Sequence, residues 1–215
     1  MTLYKIILLF ILIGLYSCGQ NDAKHKVDPT AVRLNNNAMI LVKYIDNEDS
    51  SKKAITLLDK ATAIDSNYFL GYYNKLMFLD QLKQYDKSVL TVNKLIQLRP
   101  YAHDLYLTGG IIYERKGDTS SSKIYFEKSL AICNNVLDTM KASNSNYIML
   151  ITNKVSNLIM LNRSSERDMM VQEASNQLYD ANLWDRNTES ALNSLYELKR
   201  EEIVRNVTSN SKVPI

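Results

Sequence analysis

From Pro29 onward, apolar residues recur three and four positions apart, the spacing that gathers them on one face of an α-helix. Short polar segments interrupt each run. Leu34, Ala38, Leu41, Val42 and Ile45 mark a first helix, which Asp28-Pro29 should start. The aspartate offers an acceptor at the cap, and proline occupies the first helical position, where its missing N–H costs nothing. After a turn at 46–50, Ala54, Leu57, Leu58 and Ala61 define a partner helix over 51–64. The same pattern predicts helices over 68–82 and 85–98, the latter stopped at Arg99-Pro100 because a residue before proline disfavours the helical region. Helices over 101–116 and from 119 follow. The last has no breaker until about Ser143 and is expected to overrun its predecessors. Runs at 147–161, 167–179 and 187–204 complete the series, the final one carrying Leu192, Leu195, Tyr196, Leu198 and Ile203.

One stretch, residues 102–135, organises the rest. It reads as two amphipathic helices joined at Lys116-Gly117-Asp118. Gly109, Gly110, Ser122 and Ser129 fall where two helices must approach closely, and Tyr106, Tyr113, Tyr125, Phe126 and Leu130 fill the space between. Shifting the chain by 34 residues takes Ser122 to Ser88 and Ala54, Phe126 to Val92 and Leu58, and Ser129 to Leu95 and Ala61. Asn134 goes to Pro100 and Ser66, the boundary between units. Segments 35–68, 69–102 and 103–136 therefore match one another, least well in the second, where Leu76 stands for Gly110 and Leu95 for Ala61 or Ser129.

A 34-residue helix–turn–helix with this order of small and large positions resembles the tetratricopeptide repeat (TPR) family. The resemblance implies an all-α fold, a right-handed superhelical stack of antiparallel helix pairs forming a TPR-like α-solenoid. About three units over 28–136 would be followed by a degenerate fourth pair and a capping helix over 137–206, since repeat stacks need atypical ends to cover the last apolar face. Residues 207–215 read as a frayed tail.

The N-terminus carries a different signal. Lys5 precedes the apolar run 6–15, too short to span a bilayer comfortably. It ends in Leu15-Tyr16-Ser17-Cys18, which resembles the bacterial lipobox. Residues 1–17 are then a lipoprotein signal peptide, Cys18 the lipidated residue, and 18–27 a polar tether. The resemblance departs at Tyr16, where a smaller residue is usual; an ordinary secretory signal or signal anchor is the alternative. Lipidation would place the chain in the cell envelope, on the periplasmic side or the outer-membrane surface. Cys133 is left without a disulfide partner and reads as a buried small hydrophobe rather than a reactive thiol.

Composition fits this outline. The 215 residues are 46% hydrophobic with only six glycines and three prolines, which favours helix over sheet. The formal charge is +3 with interspersed signs, so no electrostatic footprint for nucleic acid stands out. Two histidines, His25 and His103, have no neighbours at metal or triad spacing. No catalytic residue, metal ligand or cofactor is expected, and the glycines form no phosphate loop.

A binding groove is the expectation that the resemblance supplies. In TPR proteins the first helix of each unit lines a concave surface. The matching positions here are Met39 and Lys43, then Tyr73, Met77 and Asp80, then Leu107, Ile111 and Glu114. They would form an apolar stripe edged by charge, suited to a protein or peptide partner. The bland alternative is that Leu107 and Ile111 are core, or that the C-terminal helix fills the groove. The carboxylate clamp of co-chaperone members is not matched, since only Asn74 fits it. The expected function is a non-catalytic, membrane-tethered scaffold or assembly factor. The tyrosine content keeps open a glycan- or small-molecule-binding accessory lipoprotein of a nutrient-uptake system.

Overall fold

A computed structural model of the chain describes residues 25–206. The signal segment, Cys18, most of the tether and the tail at 207–215 lie outside the described residues. Within 25–206 every regular element is helical, and no strand occurs among the described residues. The order is α1 (Pro29–Met39), a 3-10 segment (Ile40–Tyr44), α2 (Glu48–Ile64), α3 (Phe69–Gln81), α4 (Tyr85–Leu98) and α5 (His103–Lys116). Then come α6 (Thr119–Leu137), α7 (Tyr147–Met160), α8 (Ser164–Asp180), α9 (Arg186–Glu197) and α10 (Arg200–Asn206). The described chain divides into two compact units, 25–101 with 112–118, and 102–111 with 119–205.

In the first unit α1 pairs with α2 and α3 with α4, and α3 also packs on α1 and α2. Asp28 caps α1 as expected, its carboxylate accepting from the Thr30 N–H at 2.7 Å. Ala38, Ile45, Ala54, Ile55, Leu58, Phe78 and Leu79 form the main buried cluster, and Ala31, Ala61 and Tyr68 a smaller one. Ahead of α1, His25 Nε2 lies 2.8 Å from the buried Asp65 carboxylate. The Asp28 and Asn67 N–H groups donate to the same carboxylate. Burial pushes the Asp65 pKa upward, but the His25 and backbone hydrogen bonds outweigh it and hold the group below its ordinary value.

The second unit packs α6 on α7, α7 on α8, and α9 on both α7 and α8. Its core joins Leu130 of α6 to Tyr147, Ile151, Val155 and Leu158 of α7, with Met170, Val171, Ala174 and Leu178 of α8. Leu192 and Leu195 of α9 complete that core. A β-carbon on Gly110 would overlap the Phe126 ring, so only glycine lets α5 approach α6 this closely.

The 34-residue register is visible in burial. Ala54, Ser88 and Ser122 are at most 1% exposed, as are Leu58, Val92 and Phe126, and Ala61, Leu95 and Ser129 are fully buried. The boundary positions Ser66, Pro100 and Asn134 are all exposed. The hairpin turns share a second regularity. Lys83, Gly117, Asn162 and Asn182 follow the ends of α3, α5, α7 and α8 with φ between 53° and 85°. After each, the next N–H reaches back five residues, as from Gln84 to the Leu79 carbonyl and from Asp118 to that of Tyr113. This satisfies carbonyls left unpaired at a helix end.

Five boundaries differ by three residues or more from the sequence-based expectation, one of them the start of α8 at Ser164 rather than 167. The first helix tightens into the 3-10 form after Met39, where Ser51 Oγ donates to the buried Ile45 carbonyl at 2.8 Å. Helix α2 starts at Glu48 because Asn47 caps it, accepting from the Ser50 N–H. Helix α6 stops at Leu137, six residues short of Ser143, as the chain turns to pack Met140 and Ala142 on the second unit's core. The single helix expected over 187–204 is two, with Leu198 extended at ψ 126° between them. That break buries Ile203 and brings Arg200 Nη1 within 2.6 Å of the Met160 carbonyl at the end of α7.

Candidate functional site

Helix α3 places Tyr73 and Met77 half-buried, while Gly71, Leu76, Phe78 and Leu79 of the same helix are buried. Tyr73 stacks on Phe69 with ring centroids 6.0 Å apart and planes 19° from parallel. The Arg99 guanidinium carbon lies 3.8 Å from the Phe69 centroid, so the aromatic pair is capped by a cation. Met77 and Met39 both pack partly against the first unit's core. Lys43 is exposed, with its ammonium 5.0 Å from the Tyr44 ring. Asn74 Nδ2 donates to Asn35 Oδ1 at 2.8 Å and ties α3 to α1. Met39 and Met77 thus share one core cluster, and Tyr73 shares α3 with Met77.

The other expected residues sit differently. Asp80 is already engaged, its carboxylate paired with the Arg115 guanidinium, both groups about nine-tenths buried. Leu107 and Ile111 are buried, at 9% and 0% exposure, and Glu114 is half-buried. Periodicity marks one face of a helix as apolar, but it does not distinguish a solvent-facing stripe from a covered one. Asn35, Phe69, Arg99 and Arg115 were not anticipated. Phe69 could have been read from its i, i+4 spacing to Tyr73 on one helix, whereas Asn35, Arg99 and Arg115 act through partners brought near only by the fold.

The second unit holds a buried polar cluster. Ser129 Oγ donates to the His103 carbonyl at 2.7 Å, and Asn157 Nδ2 donates to Ser129 Oγ and to the Asn153 carbonyl, each at 2.8 Å. Asn153 Nδ2 lies 3.3 Å from His103 Nδ1. Burial drives the His103 pKa down, against the pull of Asp104, so the ring is neutral near pH 7. Burial likewise pushes the Cys133 thiol up to about 12. A thiol held protonated is a weak nucleophile, so Cys133 packs as a small buried side chain. Among the described residues no group of three or more His, Cys, Asp or Glu side chains is placed to hold a metal ion. No helix among them is long and apolar enough to cross a membrane.

A family model described as tetratricopeptide repeat matches residues 71–101 and 103–136. Over those two segments the chain matches tetratricopeptide repeats. The two matched repeats take in α3 to α6, including the Tyr73 surface and the Gly110–Phe126 contact. No curated protein matches the chain. Solved structures of nearly identical TPR-like repeats from Podosopora anserina, named for a putative kinesin light chain, resemble it at TM-score 0.55. A single-substitution form is 11% identical, over 85% of this chain and 96% of that one. Its parent is 12% identical, over 87% and 100%. At such identity the likeness is one of fold: an all-α arrangement of TPR-like helix pairs.

Proposed function

We propose that this chain is a non-catalytic scaffold of the cell envelope, held to a membrane by a lipid on Cys18, that binds a partner protein or peptide through its repeats. The matched repeats carry the reading, because TPR units serve as protein-interaction modules and the first of them bears the half-buried Tyr73 and Met77. Soft, amphipathic side chains of this kind suit a peptide whose side chains must be accommodated without new backbone structure. Lys43, exposed in the 3-10 segment, would supply a cation to such a partner.

Two readouts test the proposal. Cys18→Ala should move the protein from the membrane to the soluble fraction, and retention at the membrane would overturn the lipid anchor. Crosslinking followed by pull-down from membranes should capture a partner with wild type and lose it with Lys43→Glu/Tyr73→Ala. Recovery of the same proteins with both forms would overturn the assigned surface.

A further inference from the structure

A hollow of about 230 Å³ opens between α2, α3 and α4, wholly within the first unit. It lies on another side of α3 from the Tyr73 surface. At 100° per residue, Tyr72, Lys75 and Leu79 are centred about 140° round the helix from Tyr73, Met77 and Asp80. Its apolar lining comes from Ile55 and Leu79, both buried. Leu90, also lining it, is 72% exposed, a large apolar side chain left in water beside an apolar recess. The charged groups around it are unbalanced. Lys75 pairs with Asp59 at 2.9 Å, and the Lys75 and Lys94 ammoniums lie 5.7 and 6.0 Å from the Tyr72 ring. Lys87 adds a third ammonium; against the three stand Asp59 in the lining and Asp65, close enough to act on Tyr72, which leaves an excess of one positive charge.

We infer that this hollow docks a short acidic segment of a partner protein, which inserts one apolar side chain beside Leu90. Size and charge both select that occupant. Small-molecule sites run to about 300–1,000 Å³, whereas this hollow suits a single large side chain. The surplus of ammonium groups favours carboxylates flanking that side chain and disfavours a basic peptide. This is a second surface, separate from the one proposed above.

The test uses the ¹⁵N-labelled full-length protein and two blocked hexapeptides, Glu-Asp-Leu-Phe-Asp-Glu and its Lys-Lys-Leu-Phe-Lys-Lys counterpart. At about 1 mM the acidic peptide should shift the amide resonances of Tyr72, Leu90 and Thr91, and the basic one should not. Lys87→Glu/Lys94→Glu, with unchanged circular dichroism, should weaken binding at least about tenfold. Lys43→Glu/Tyr73→Ala should bind as wild type does, which separates this surface from the other. Affinity should fall between about 50 and about 300 mM salt. The inference is overturned by an absence of shifts, by equal shifts with both peptides, or by shifts centred on Tyr73 and Met77.

Discussion

The hairpins α3–α4 and α7–α8 close alike and are filled unlike. Each turns through one left-handed residue, Lys83 at φ 53° and Asn162 at φ 58°, and each then makes a 2.8 Å bond from the next N–H to the carbonyl five residues back. Yet α3–α4 obeys the 34-residue register, and α7–α8 does not. The turn is therefore a local solution, available wherever a helix must reverse. The register answers to a different need, close helix approach, met by Ser88 in one pair and Ser122 and Gly110 in the next. Beyond Leu137 the core uses larger residues such as Tyr147, Ile151 and Leu158, and α9 covers it.

The register should show its largest effect at Phe126. Phe126→Ala should destabilise by about 3–5 kcal/mol, whereas Val92→Ala at the equivalent site should cost about half that, since fewer buried carbons are lost. Urea denaturation measures both. Gly110→Ala comes next. Alanine is the better helix former, but the added carbon meets the Phe126 ring, so a net loss of about 1–3 kcal/mol is expected in the same assay.

The two units should also differ in their response to pH. His103 is buried with its pKa depressed, so the unfolded chain takes up a proton first as pH falls below the ordinary histidine value of 6.5. Its unit should lose stability from there downward, and His103→Gln should flatten that slope. Asp65, in the other unit, also has a lowered pKa, but its contribution is complete above the ordinary aspartate value of 3.8 and is lost only as pH falls through its folded value. The pH dependence of thermal melts between about pH 4 and about pH 7 should therefore change with His103→Gln and hardly at all with Asp65→Asn. The smallest effect concerns the turns. Lys83→Gly relieves a left-handed conformation that lysine disfavours and should gain up to about 1 kcal/mol, while Gly117→Lys should lose a similar amount. Differential scanning calorimetry resolves either change.

Much of the fold was legible in the sequence because period and residue size carry it. The positions of Ala54, Ser88 and Ser122 could be read as close contacts from their spacing and size, and Asp28-Pro29 announced α1. The turn at Gly117 was visible from its glycine, but Lys83, one period earlier, has no local signal. The break at Leu198 was hidden for a related reason. No glycine or proline marks it, and it follows from burying Ile203 and from the Arg200 contact with the Met160 carbonyl, both tertiary effects. The candidate site was half legible. Tyr73, Met77 and Lys43 retain exposed surface, whereas Ile111 is fully buried and Asp80 is tied to Arg115, arrangements that depend on neighbours far away in sequence.

Site-specific photocrosslinking in cells decides whether the Tyr73 surface of the first matched repeat receives a protein partner. A p-benzoylphenylalanine in place of Tyr73 should yield a discrete higher-mass adduct on irradiation, and one in place of Tyr179, which is 69% exposed on α8, should not. An absence of adduct at Tyr73, or the same adducts at both positions, would refute the assignment of that surface.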